Sequence, residues 1–295
     1  MRQHRLALCE EHFLEWFLER TQKTIERYRM FGPEDRILVA VSGGKDSLSL
    51  WDALLRLGYR ADGLYINLGI AHEGYSEKSR QMAERFAEGK AGATHASPLL
   101  RVVDLKAEYG SSVPELAERT RRGRKVCALC GLLKRHIMNR LACEGGYAAI
   151  ATGHNLDDEA ATLFGNVLHW EAGYLVRQAP VLPSTHPRLA RKVKPFCLIY
   201  ERETAAYALV RGIEYIYDEC PFAVRAKSIF YKGLLNQLEG RSPGAKLHFY
   251  LDFLRAREEG KIALFEGEVE KLGECTRCGQ PTTAPGLCAF CRLLT

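Results

Sequence analysis

The stretch from Ile37 to Gly58 restricts the possible folds more than any other part of the sequence. Ile37-Leu-Val-Ala-Val41 is apolar and largely β-branched, Ser42-Gly-Gly-Lys-Asp-Ser47 follows at once, and an amphipathic run from Asp46 to Leu57 ends at Gly58. This order predicts a buried strand, a tight turn and a helix. Gly43 and Gly44 let the backbone turn sharply and approach a ligand, so that successive N–H groups and the positive end of the helix face a phosphate. Ser42 and Ser47 add hydroxyls, Lys45 a cation and Asp46 a carboxylate. The spacing fits neither the Walker pattern nor GxGxxG. A turn that binds nothing is the plain alternative, but strand, glycines, hydroxyls and helix agree with one another.

A chain of 295 residues exceeds the usual single-domain size, so one large α/β domain with small appendages is expected. No apolar run approaches the ~18 residues of a membrane span, and MRQHRLALCEEHF lacks a signal peptide's apolar core. The expectation is a cytoplasmic protein with no membrane partner. Lys and Arg outnumber Asp and Glu by 42 to 36, a net +6 that suits a nucleic-acid partner and many metabolic enzymes equally. The ten cysteines say more, because in a reducing cytosol paired Cys are metal ligands more often than disulfides.

Residues 1–32 read as a helical segment that opens with Cys9-x-x-His12, two of the four ligands of a tetrahedral zinc site, with no further pair ahead of them. A catalytic domain follows over 33–242, with strands at 37–41, 63–68 and 99–105 alternating with helices at 46–57 and 76–88. Such alternation implies a doubly wound, mainly parallel sheet that binds ligands at the carboxyl ends of its strands. Asn67 to Ile70 lies at one such end and offers backbone groups to an adenine. Residues 89–98 read as a loop insertion, 114–120 as a short helix, and 169–195 as an irregular basic connection able to touch RNA. A helix over 201–210, a strand over 213–217 and a helix near 223–239 complete the domain, and 243–270 forms a helical connection.

Several constellations carry chemistry. Arg119 to Lys125 holds five cations in seven positions, either a phosphate-backbone contact or a solvated helix end. Cys127-Ala-Leu-Cys130 stands at the start of a long helix, where thiol pKa values fall. A lone CxxC of this kind is redox-active, a zinc half-site or part of an iron–sulfur centre. Lys134 shares a helix face with Cys130, or is an ordinary surface lysine. The strand 147–151 runs into Thr152-Gly-His-Asn-Leu-Asp-Asp-Glu159, where Gly153 opens a turn and Asp157 and Asp158 either coordinate Mg²⁺ beside a triphosphate or cap a helix. Cys220 falls just after the strand at 213–217, on the ligand side of the sheet or as an unpaired buried thiol. At the end, Cys275-x-x-Cys278 and Cys288-x-x-Cys291 have the spacing of a Cys₄ zinc ribbon over 271–295, which could hardly fold without its metal.

SGGKDS resembles the signature of the PP-loop ATP pyrophosphatases, with their adenine nucleotide alpha-hydrolase-like fold. Together with CALCG and Lys134, TGHNLDDE, ECP and the CTRCG/LCAFC ribbon, it resembles the tRNA 2-thiolation enzymes over nearly the whole chain. The similarity is greatest to the TtuA-type 2-thiouridine synthetases, which act on the T-loop ribothymidine. That resemblance implies ATP and Mg²⁺ as cofactors and a [4Fe–4S] cluster on Cys127, Cys130 and Cys220, with one iron left free for sulfur. It also implies that Lys134 and Asp158 are catalytic and that Zn²⁺ sits on Cys275, Cys278, Cys288 and Cys291. Family members carry another CxxC ahead of the segment matching Cys9 and His12, which this sequence does not show. The implied partners are tRNA, a ubiquitin-like carrier ending in a thiocarboxylate, and a second copy of the chain in a homodimer. Three alternatives remain at this level: thiolation of an anticodon base, a PP-loop synthetase or amidotransferase for a small metabolite, and a non-catalytic zinc-ribbon RNA-binding protein.

Overall fold

The computed structural model describes residues 2–4, 6–90, 98–120, 126–223, 226–262 and 272–295. Most of the expected insertion at 91–97, the basic run at 121–125 and the end of the helical connection at 263–270 lie outside the described residues. After a 3₁₀ turn at Arg2–His4, the elements are α1 (Glu10–Arg27), β1 (Arg36–Val41), α2 (Lys45–Arg56), β2 (Arg60–Asn67), α3 (Tyr75–Lys90), β3 (Leu100–Asp104), α4 (Leu105–Tyr109), α5 (Val113–Arg119), α6 (Val126–Glu144), β4 (Ala149–Thr152) and α7 (Leu156–Leu168). They continue with α8 (Ala172–Leu175), β5 (Val181–Leu182), β6 (Lys192–Val193), α9 (Glu201–Val210), α10 (Lys227–Arg241), α11 (Ala245–Glu258), β7 (Gly273–Glu274), β8 (Pro281–Thr282) and α12 (Ala289–Leu293).

The main sheet has the order β3-β2-β1-β4-β6-β5, parallel except for the edge strand β5. The two-residue period of a strand explains why both faces are covered. Ile37, Val39 and Val41 join one core with Ala149 and Ala151, whereas Leu38 and Ile150 point into the other. Helices α1, α2, α7, α9 and α11 contribute to the first core, and α5, α6 and the ribbon to the second.

The terminal segments are built into these cores. Phe17 of α1 stacks on Tyr207 of α9, ring centroids 4.1 Å apart. On the other face, Phe290 of α12 stacks on His136 of α6 at 3.8 Å. Asn139 ties the same helix to the ribbon, donating to the Gln280 side chain and the Arg188 carbonyl. Desolvation against this packing, with Arg140 adding to it, lowers His136 to about 4.

One expected strand is absent. Residues 213–217 form no strand, and the position beside β4 belongs instead to β6, inside the stretch read as irregular. The reason is visible in a single bond: the Ile216 N–H donates to the Gly43 carbonyl at 2.9 Å, so this segment lies against the glycine loop rather than along a sheet edge.

Candidate active site

The strand order reverses direction about β1 and β4, and the crevice at their carboxyl ends is where a doubly wound sheet binds its ligand. Gly43 there has φ +76°, and a Cβ on it would stand 2.2 Å from the Ser79 carbonyl oxygen, so glycine is required twice over. Ser47 Oγ donates to the Gly44 carbonyl and accepts the Ser42 N–H, both at 3.0 Å, with Ser42 Oγ 3.1 Å away. The result is a small hydrogen-bonded ring that fixes the loop at the positive end of α2, the kind of helix start that attracts a phosphate. Gly153, just beyond β4, closes the crevice: a Cβ on it would meet the Asp46 carbonyl and the Ser47 nitrogen at 2.9 Å.

Charged side chains ring this loop. Lys45 Nζ donates to Asp46 Oδ2 at 3.0 Å and to Glu201 Oε1 at 2.8 Å. The other oxygen of Glu201 accepts Lys232 Nζ at 3.0 Å, and Lys232 also reaches Asp158 Oδ1 at 2.7 Å. Burial works against ionisation of Glu201, but Lys232 and Lys45 overcome it and hold its carboxyl at about 2. Burial raises Asp46, with nearby Asp158 adding to it against the pull of Lys45 and Thr204. Asp158 also closes a capping box with Asn155 at the start of α7, through the oxygen that Lys232 does not take.

Asp157 departs from the expectation of a free magnesium ligand. It is buried, one oxygen accepts Lys246 Nζ and the other the Glu201 N–H at 2.9 Å, so it caps α9 from inside the fold. Asn67 likewise uses its side chain internally, donating to Asp104 at 3.0 Å and accepting the Gly69 N–H at 3.0 Å. Beyond it, Gly69, Ile70, Ala71, Ser112 and Phe222 line a cavity of about 410 Å³.

The second arm lies at the N-terminus of α6. Cys127 Sγ–H donates to the Phe222 carbonyl at 3.4 Å, which brings the CxxC next to Cys220. Burial raises the Cys130 thiol, Lys134 pulls it back, and Cys220 and Cys127 raise it further. Two thiols and a lysine are thus within electrostatic reach of Cys130. Among the described residues the one tight group of metal-ligating atoms is elsewhere, in the ribbon, so these three sulfurs are spread more widely than a single ion needs. The donor set fits a multi-iron cluster with thiolate ligands. The segment 216–222 joins the arms, since it is bonded to Gly43 at one end and to Cys127 at the other.

The sulfur atoms of Cys275, Cys278, Cys288 and Cys291 lie within 4.8 Å of one another, a donor set that fits one tetrahedral Zn²⁺. Burial would raise Cys275, but the N–H groups of Cys288, Cys278 and Arg277 bring it down to about 6. Burial and the three neighbouring thiols push Cys291 up, and such crowding of thiols is relieved by a dication. At the other terminus Cys9 Sγ lies 3.0 Å from His12 Nδ1 on the surface, with no third metal-ligating side chain grouped with them among the described residues.

Glu201, Lys232, Thr204 and Asn155 were not singled out from the sequence. Only Asn155 carried a signal, as the residue three before Asp158 in a capping box. His154 is a further member, its Nδ1 2.8 Å from Thr152 Oγ1 at the exposed end of β4.

Comparison with known proteins matches residues 17–223 to the PP-loop domain family. The tRNA-5-methyluridine(54) 2-sulfurtransferase of Thermus thermophilus is 52% identical over 293 residues, 99% of this chain and 87% of that one. The protein of the same name from Pyrococcus horikoshii is 43% identical over 290 residues, 98% of this chain and 87% of that one. Among solved structures, the U34-tRNA thiolase NcsA from Methanococcus maripaludis, seen with its [4Fe-4S] cluster, superposes with a TM-score of 0.77 at 24% identity, covering 99% of this chain and 90% of that one.

Proposed function

Because this chain belongs to the PP-loop family, and within it to the tRNA-5-methyluridine 2-sulfurtransferases, we infer that it replaces O2 of 5-methyluridine 54 in tRNA with sulfur, consuming ATP. The observation that supports this reading is the segment 216–222, which is bonded to Gly43 of the glycine loop at one end and to Cys127 of the CxxC at the other and carries Cys220 between them.

The chemistry follows from the two arms. A uridine O2 is a poor leaving group. Attack of that oxygen on the α-phosphorus of ATP releases pyrophosphate and turns it into an adenylate, and the N3 proton is lost. Sulfur then adds at C2 and AMP departs with the original oxygen. The loop amides, Ser42, Ser47 and Lys45 spread the charge of the phosphates, the usual electrostatic route for phosphoryl chemistry. Asp158 and Asp46 are the carboxylates placed to hold Mg²⁺ with the triphosphate. Lys134 stabilises the departing oxygen or passes a proton to it. When bound to Cys127, Cys130 and Cys220, a [4Fe–4S] cluster supplies an iron with an open position for sulfur. Zn²⁺ on the ribbon is structural.

The sulfur source in this reading is a thiocarboxylated ubiquitin-like carrier. Phe230, Leu234 and Leu238 form an exposed stripe along α10 that supports a homodimer. A tRNA substrate and cysteines paired at metal-ligand spacing support a cytoplasmic site of action, and among the described residues no helix is long and apolar enough to cross a membrane.

The test is to incubate unmodified tRNA with enzyme, ATP and a sulfur donor and map the thionucleoside. Sulfur in the T-loop is expected. Sulfur in the anticodon loop alone would favour the wobble-uridine reading, and ATP turnover with a small metabolite but no tRNA would favour a synthetase.

A further inference from the structure

The segment that joins the two arms carries an aromatic pair with no role in what precedes. Tyr215 and Tyr217 flank Ile216, with ring centroids 4.4 Å apart and planes inclined by 39°. Tyr217 is 80% exposed, in contrast to Tyr200, Tyr207 and Tyr250, which are fully buried. The backbone between the two rings is tied to the loop by Ile216 N–H on the Gly43 carbonyl at 2.9 Å, and next to the pair the Asp218 side chain accepts from Lys78 Nζ at 3.0 Å on the surface. Burial and the Tyr217 hydroxyl raise Tyr215, and Lys45 and Asp46 of the loop also act on it. Three residues after Tyr217 comes Cys220.

A ring set against one neighbour and otherwise in water gains little for the fold. It would gain far more under a flat apolar ligand. Any base that is to be activated at the loop and then attacked from the cysteine arm must lie between them, which is where this pair stands. Its unstacking from the tRNA costs a few kcal/mol, and an aromatic surface offsets that without reading the base's edge.

We propose that Tyr217, backed by Tyr215, is a stacking platform for the nucleobase that enters this site, and that the base is the target uridine of the tRNA. Adenine of ATP is the other source of the same chemistry, but the cavity beside Gly69 to Ala71 offers it a separate place. The proposal rests on the tRNA-thiolation reading and refines which residues seat the substrate. Tyr217 is a substrate-binding residue in it, and Tyr215 positions the ring.

The test compares Tyr217→Ala and Tyr217→Phe in steady-state thiolation, varying tRNA and ATP separately, together with equilibrium binding of tRNA in the absence of ATP. Tyr217→Ala should lower kcat/KM for tRNA by about ten- to a hundredfold, the range of one base–aromatic stack. KM for ATP should stay as in the wild type, and Tyr217→Phe should restore the loss because stacking needs no hydroxyl. A loss confined to ATP would assign the platform to adenine and overturn the proposal. Wild-type parameters in Tyr217→Ala would overturn it as well. If wild-type enzyme neither binds nor thiolates tRNA, the failure lies with the functional reading, and the two outcomes are distinct.

Discussion

Lys232 Nζ lies 2.7 Å from Asp158 Oδ1, and through Glu201 the same lysine is linked to Lys45 of the phosphate loop. Two cations are thus held by shared carboxylates at the mouth of the site. An incoming triphosphate competes with Glu201 for both of them and with Asp158 for Lys232. Lys232→Met should therefore raise KM for ATP by about ten- to a hundredfold, the range of one charge-assisted hydrogen bond, with tRNA binding unchanged. An unchanged KM for ATP would make the lysine a clamp on α10 and nothing more.

The adjacent carboxylates Asp157 and Asp158 should separate by assay. Asp157 is buried against Lys246, and breaking a buried pair costs about 3–5 kcal/mol. Asp157→Asn is expected to lower the unfolding midpoint in denaturant while any folded enzyme keeps its KM for ATP. Asp158→Asn should do the reverse, keeping most of the stability and losing turnover. Equal loss of turnover at full stability in both would return Asp157 to the nucleotide site.

Gly43 and Gly58 both have positive φ, but only Gly43 has backbone within reach of an added Cβ. Gly43→Ala should abolish ATP binding, because the loop cannot hold its shape against the Ser79 carbonyl. Gly58→Ala should cost about 1 kcal/mol of stability and leave ATP binding intact. Isothermal titration with ATP on the two variants separates these outcomes. Normal binding in Gly43→Ala would contradict the loop geometry.

His136 sits at about 4 instead of 6.5, because desolvation beside Phe290 and the charge of Arg140 disfavour its protonated form. A folded-state pKa below the unfolded value means the unfolded chain takes up the proton first. The stabilisation present above pH 6.5 is therefore lost as pH falls towards 4. Thermal unfolding across that window should show a smaller loss for His136→Phe than for the wild type. Parallel curves would show that ribbon docking is not linked to this proton.

Much of this could be read from the chain because local rules agreed with the fold. The apolar run 37–41 followed by Gly43 specified a strand and a turn without help from distant residues. The helix at 201–210 has the same bounds in the structure as in the sequence. Residues 213–217 have the apolar character of a strand but are held by the Gly43 carbonyl, a partner about 170 residues away that no local pattern announces. Lys192 and Val193 were lost among prolines and basic residues, since a two-residue strand leaves no periodicity to detect. Within the site, the loop residues and cysteines carry motif spacing. Glu201 and Lys232 do not, because an ion pair between separate helices is a property of packing.

The central claim is a site with two arms, phosphate activation at Ser42 to Ser47 and sulfur held by Cys127, Cys130 and Cys220. The most direct measurement is iron, sulfide and thionucleoside content for anaerobically prepared wild type and Cys220→Ser, with tRNA-dependent release of pyrophosphate from ATP followed in parallel. The wild type should contain about four iron and four sulfide per chain and form 2-thiouridine. Cys220→Ser should lose both the cluster and thiolation while still releasing pyrophosphate. A wild type without iron, together with full thiolation by Cys220→Ser, would contradict the account.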